Sequence, residues 1–224
     1  MKPLPEPEGD SVARVDLARV RCYQLLGGAL AYPDPDFLSE VEKGTFASEL
    51  GCAISVAAPD LVDAFAERER SLRADGGSLG AEYLSAFELE MPNHATSLYE
   101  GSYSGGANRS EVLLEVKGFL GHFGLVSAKN MPQPEDHLAV ELEFMQFLVA
   151  KQAEAELRGA DPAAYVRAQR DFLERHLAVW LPRFRAVAER QIKSDFYLNV
   201  ACLAVAFVEV DAARLAGCRD DMAH

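Results

Sequence analysis

Apolar residues recur along this chain at steps of three and four, the spacing that lines up one face of a helix, and the breaks between runs carry helix punctuation. From Ser11, a cap residue, a run through Leu17, Val20, Leu25 and Leu26 is stopped by Tyr32-Pro33. Asp34-Pro35 then offers a cap followed by proline at the first helical position, so the pattern predicts a helix pair with a tight connection. Further helices are predicted over about 60–73, over 78–91 with Pro92 closing it, and over about 108–123 with Gly124 past its end.

The clearest helix is predicted from Pro134 to about Arg158, with Glu135 and Asp136 in its first turn, where the helix dipole favours negative charge, and Gly159 beyond it. Leu138, Leu142, Met145 and Val149 share one face while Val140 and Phe147 point nearly opposite, so this helix should lie in the core. Asp161-Pro162 starts another helix, Pro182 interrupts or kinks the chain after Trp180, and Ser194 caps a last helix reaching about Leu215, before Gly217. Strand-like alternation and internal repeats are absent from the pattern, which reads as all-α. Between the helices, 92–107 is a long irregular connection of the kind that carries function.

A chain of 224 residues that is 49% hydrophobic and 25% charged can bury a substantial core, which excludes disorder and fibrous repeats. One domain over 11–217 is expected, with loose tails at 1–10 and 218–224. The start of the chain is proline-rich and acidic, unlike an export signal, and the longest unbroken apolar run, Val200 to Val208, is far below the roughly 20 residues of a membrane span. A cytoplasmic protein without a membrane span is therefore expected. Cys22, Cys52, Cys202 and Cys218 have no metal-finger spacing and suit free thiols in a reducing compartment, read as small buried residues.

The net charge of −13 disfavours nucleic acid and favours a basic peptide as partner. The imbalance is concentrated. No Lys or Arg occurs from Ala74 to Asn108, which holds Asp75, Glu82, Glu88, Glu90 and Glu100, nor from Asn130 to Ala150, which holds Glu135, Asp136, Glu141 and Glu143. If the two windows meet, they make an acidic, aromatic-edged surface.

His137 and Glu141, four apart on a helix, are adjacent on one face. They could be metal ligands, an acid/base pair, a recognition pair for guanidinium or amide groups, or a structural His–Glu hydrogen bond. A helical metal-dependent enzyme using both is the alternative function; it lacks the paired motifs of a di-metal site and any nucleophile signature. His176, beside Trp180, reads as a packed or capping imidazole. His94 in the long loop and His224 in the tail are uninformative, and Gly105-Gly106 is too weak to read as a nucleotide cradle.

The run P-E-D-H-L-A-V-E-L-E-F-M over 134–145 resembles the signature of the TorD/DmsD/NarJ family, cytoplasmic chaperones for molybdenum-containing redox enzymes. Y-L-S-A-F-E over 83–88, P-N-H-A-T-S-L-Y-E-G-S-Y over 92–103 and H-L-A-V-W-L-P-R-F over 176–184 follow the family's order and spacing, and together the resemblance covers most of the chain. Gln133 stands where the family has glutamate, and Ala86 where it often has leucine. The resemblance implies a single-domain helical protein that binds the twin-arginine signal peptide and apo form of a molybdoenzyme catalytic subunit. It further implies that the protein holds this partner back from export and assists insertion of its molybdopterin guanine dinucleotide. It implies Asp136 and His137 as the contact or its hinge, with Glu135, Glu141, Tyr83, Phe87, Tyr99 and Tyr103 flanking, and no catalytic residue, metal or cofactor of the protein's own. The pattern looks closer to chaperones for the dimethyl sulfide, ethylbenzene, selenate or chlorate type of enzyme than the trimethylamine oxide type. A homodimer made by exchanging segments is also open.

Overall fold

A computed structural model of the chain describes residues 8–89, 96–104, 109–125 and 133–221. The expectations placed on Glu90, His94, Gly105-Gly106 and His224, and on the side chain of Cys218, lie outside the described residues. The first half holds α1 (Glu8–Ala29), α2 (Pro35–Lys43), α3 (Thr45–Ala57), α4 (Val62–Arg68), α5 (Gly76–Tyr83) and α6 (Arg109–His122). The second half holds α7 (Leu138–Leu157), α8 (Ala163–Phe172), α9 (Ala178–Gln191) and α10 (Asp195–Asp221). The fold is all-α; among the described residues the sole β feature is a one-pair antiparallel bridge between Tyr99 and His137.

The punctuation acts as predicted at several joints. Asp34 caps α2 by accepting the Phe37 N–H at 2.8 Å, with Pro35 at the first helical position. Asp161 accepts the Ala163 N–H at 2.9 Å, and Ser194 accepts the Tyr197 N–H at 3.3 Å. The pattern missed α3, a short apolar helix joined to α2 through Gly44, whose φ of 74° closes one helix and opens the next. The predicted 60–73 helix is broken into α4 with a 3₁₀ turn on each side, at Pro59–Leu61 and Glu69–Leu72. The predicted 78–91 helix ends early, passing into a π turn at Leu84–Glu88.

Two further differences have causes in the packing. α10 runs through Gly217 instead of stopping before it. The helix predicted from Pro134 begins only at Leu138, because 134–136 turn aside to pair with the long loop; His137, not Pro134, marks the helix start. Pro182 does not interrupt the chain: α8, a π turn at Leu173–Leu177 and α9 run on continuously, with the proline inside α9.

One apolar cluster joins all the helices. α7 is at its centre: Leu138, Leu142, Met145 and Val149 are fully buried, and Val140 and Phe147, on its other side, also pack against the core. α1 lies along α7, crossing closely where Gly27 meets the backbone of Ala139 and the side chain of Leu142. Within α10, the 23 residues Asp195–Gly217 have a mean hydropathy of 1.6, long and apolar enough to cross a bilayer by composition. Most of that apolar stretch, 61%, is buried inside the bundle, as expected of a core helix.

The buried face of α1 is not the stripe read from the sequence. Leu17 is exposed, while Asp16 and Arg19 are buried. Arg19 bonds both carboxylate oxygens of Asp211 at 2.7 and 2.8 Å, Asp16 at 2.9 Å and Gln169 at 2.7 Å. Tyr23 donates to Asp211 at 2.8 Å, and Gln152 bridges Asp16 and Gln169 at 2.9 and 2.8 Å. This network ties α1, α7, α8 and α10 together with every charge partnered. Burial pushes the Cys22 thiol up to about 12, an inert position, whereas Cys52 is exposed, against the expectation of a buried residue.

Candidate functional site

The described part of the long loop, 96–104, folds back onto the start of α7. The Glu100 N–H donates to the Asp136 carbonyl at 2.9 Å and the Leu138 N–H to the Leu98 carbonyl at 2.8 Å, which frames Tyr99 and His137 as a closely spaced antiparallel pair. Their rings meet edge to face at 5.0 Å. The loop braces itself: the Tyr103 hydroxyl donates to the Ser97 carbonyl at 2.8 Å, Ser97 and Ser102 hydroxyls pair at 2.7 Å, and the Thr96 N–H reaches the Ala86 carbonyl at 2.9 Å. The Tyr103 ring stacks on Trp180 at 5.3 Å.

Beneath this clasp is a line of buried polar groups. Asp136, His137 and Glu141 are fully buried and Glu100 nearly so. The two acid-rich sequence windows therefore do meet, at Glu100, Asp136 and Glu141, but inside the protein instead of as an open acidic surface. His137 Nδ1 accepts the Ala139 N–H at 3.1 Å, which caps α7 and leaves the ring proton on Nε2. Burial holds His137 down to about 4, so the imidazole is neutral near pH 7.

Glu141 accepts the Trp180 indole N–H at 3.0 Å. Burial first, and then the charge of the neighbouring Glu100 carboxylate, raise Glu141 well above the usual carboxylate range. Glu100 also faces His176, whose Nδ1 lies 2.9 and 3.1 Å from its two oxygens. Asp136 Oδ2 accepts the Gly101 N–H at 3.4 Å and lies 3.8 Å from Arg109 Nε, while burial raises its pKa against that cation. Asp136 Oδ1, His137 Nε2, Glu141 Oε1 and His176 Nε2 are buried without a hydrogen-bond partner by geometry, a concentration of unmet polar atoms that marks a functional region.

Of the residues expected at the site, Asp136, His137, Glu141, Tyr99 and Tyr103 are thus brought together. Glu135 is buried beside them, 3.5 Å from Lys117. Tyr83 and Phe87 sit on the adjoining side in an aromatic cluster with Tyr197, and the Tyr83 hydroxyl meets the Leu30 carbonyl at 3.3 Å and the Gln133 side chain. Gln133 therefore acts as an amide partner of Tyr83. Glu100, His176 and Trp180 were not read as site residues; the lone signal for them was the acid of the loop and the H-L-x-x-W spacing.

The metal-enzyme alternative is not supported. His137 and Glu141 do not converge: one caps the helix and the other points to Trp180, and the His–Glu hydrogen bond left open as a structural option is not formed either. No group of three or more His, Cys, Asp or Glu that could hold a metal ion occurs among the described residues.

The nitrate reductase delta subunit family matches residues 50–186, a span that takes in the clasp, the start of α7 and the His176–Trp180 segment. The chain belongs to this TorD/NarJ family. It is 41% identical to the perchlorate reductase assembly chaperone protein of Dechloromonas aromatica over 203 residues, 88% of this chain and 91% of that one. It is 41% identical to the selenate reductase assembly chaperone protein of Thauera selenatis over 108 residues, 48% of this chain and 56% of that one. The chaperone protein TorD of Vibrio parahaemolyticus is 32% identical over 62% of this chain and 65% of its own. In fold, a structure from Archaeoglobus fulgidus described as a redox enzyme maturation protein superposes with a TM-score of 0.53, at 22% identity, over 85% of this chain and 93% of its own. TorD/NarJ relatives carry the names of assembly chaperones, and this member is a chaperone rather than an enzyme.

Proposed function

We propose that this TorD/NarJ protein is a cytoplasmic assembly chaperone that binds the twin-arginine signal peptide and apo form of a molybdenum-containing oxidoreductase subunit. In this reading it holds the subunit while the molybdenum cofactor is inserted, before export. The observation that carries the proposal is the clasp itself, which sets the Asp136 carboxylate, with one buried oxygen unpaired, beside the half-buried Tyr99. A guanidinium is the cation that a carboxylate and an aromatic face select together.

Buried as they are, Asp136 and His137 fit the hinge of such a site as the loop stands, and the contact once the loop or its cover shifts. The apolar part of a leader has a place nearby. α6 starts at Arg109 and carries Glu115, Gly118 and Phe119 of a groove of about 510 Å³ that Phe123 extends past its end, closed on the other side by Ala164 and Ala168 and rimmed by Arg167, Asp171 and Arg175. The similarity to perchlorate and selenate reductase chaperones supports a client among reductases of that kind.

The test is calorimetric titration of the full chain with the client's N-terminal peptide. Binding should weaken with added salt and with a double Arg→Ala change in the peptide. Asp136→Asn keeps an acceptor for the Gly101 N–H, and should weaken binding about tenfold with an unchanged helical circular dichroism spectrum. Affinity indifferent to salt and to both changes would overturn the charge-recognition reading.

A further inference from the structure

We infer that the Tyr99 ring and the Asp136 carboxylate form a seat specific for a planar cation, and that Arg109 occupies it as an internal stand-in for an arginine of the partner. The inference rests on the twin-arginine reading above and adds what makes the site choose arginine and what must leave before it binds.

Arg109 has the position of a ligand but makes few of a ligand's bonds. Its guanidinium carbon lies 4.9 Å from the centroid of the Tyr99 ring, a stacking distance. Its Nε is 3.8 Å from Asp136 Oδ2, beyond hydrogen-bond range, so the carboxylate attracts it by charge without a hydrogen bond. A well-matched guanidinium bonds both oxygens of a carboxylate through its planar fork. Here Oδ1 of Asp136 is buried and has no partner at all. The seat is therefore filled by a cation that leaves its strongest bonds unmade.

The surrounding geometry fits displacement. The Arg109 side chain is 55% exposed, while that of Asp136 is 1% exposed, so the arginine lies over the carboxylate as a cover that can swing out. A Cβ at Gly101 would come within 2.5 Å of Arg109 Cγ and 3.1 Å of Asp136 Oδ2. The bare glycine thus lets cation and carboxylate close on the loop backbone together. An ammonium has neither the plane to stack on Tyr99 nor the fork to span Asp136, so lysine should be a poor replacement.

The experiment titrates the full chain with a synthetic peptide carrying two adjacent arginines and an apolar stretch, and with versions carrying Lys-Lys or Ala-Ala. Arg109→Gln should tighten Arg-Arg binding about three- to tenfold, since a surface ion pair and a stacking contact no longer compete. The removed charge is controlled by Arg158→Gln on the far end of α7, which changes net charge equally and should move affinity less than about twofold at 0.15 M salt. Tyr99→Leu in the Arg109→Gln background should abolish the gain and the preference for Arg-Arg over Lys-Lys.

Unchanged or weaker binding by Arg109→Gln, with Asp136→Asn still harmful, overturns the stand-in and leaves the proposed function standing. Equal gains from Arg109→Gln and Arg158→Gln reduce the effect to net charge and also overturn it. Asp136→Asn that binds as tightly as the unaltered chain removes the seat and the charge-recognition reading with it. Circular dichroism and a denaturation midpoint for each variant show that the folded protein is being compared.

Discussion

His137 caps α7 and Glu141 lies in its first turn, yet burial drives them in opposite directions. His137, held down to about 4 from an ordinary 6.5, stays neutral when folded while the unfolded chain takes up a proton. The unfolded state therefore binds more protons between these values, and stability is lost as pH falls through that window, by up to ~3 kcal/mol. Glu141, raised well above 4.5, keeps a proton that the unfolded chain releases, so its contribution is fullest at low pH and shrinks as pH rises. His137→Asn retains a good helix cap and should flatten the acid-side loss. Glu141→Gln still accepts from Trp180 and can donate to Glu100, and should stabilise the protein by about 1 kcal/mol at pH 8 and little at pH 5. Urea unfolding from pH 5 to 8.5 checks both.

The helices form largely where the pattern places them, and the exceptions sit where one element leans on another. Cap residues act over a single turn, so Asp34, Asp161 and Ser194 could be read directly. Pro134 misled because a helix-starting proline is a local preference, while the chain there is claimed by hydrogen bonds to a loop some thirty-six residues earlier. Gly44 is the joint on which the missed α3 depends. Its φ of 74° disfavours any side chain, and a Cβ would lie 2.1 Å from an Arg73 guanidinium nitrogen. Gly44→Ala should cost about 1–2 kcal/mol, measured as a lower urea midpoint with an unchanged slope.

At the scale of the molecule, the Arg19 network holds four helices by charges that the surrounding core would not otherwise tolerate. Arg19→Met takes from Asp16 and Asp211 the buried cation they share, leaving Asp211 only the half-buried Arg214, and should destabilise the chain by about 3–5 kcal/mol, read in thermal or urea unfolding. Burial alone would raise Asp211, but Arg19 and Arg214 overcome it and hold the carboxylate below its usual 3.8. Its stabilisation is present above that value and is lost as pH falls through the depressed folded pKa, so acid unfolding should be blunted in an Asp211→Asn variant that is weaker at pH 7.

The sequence by itself determined the helical period, several of the caps and the central place of α7, because spacing and turn chemistry act within a few residues; the candidate group around Asp136 and His137 came from the resemblance to the family and not from spacing. Only the tertiary structure decided that Asp16 and Arg19 face inward where Leu17 faces out, that the acids of two distant windows meet underneath a loop, and that Arg109 covers Asp136. Those outcomes depend on which surfaces exclude water and on distances between groups far apart in the chain, and neither quantity is written in the order of residues.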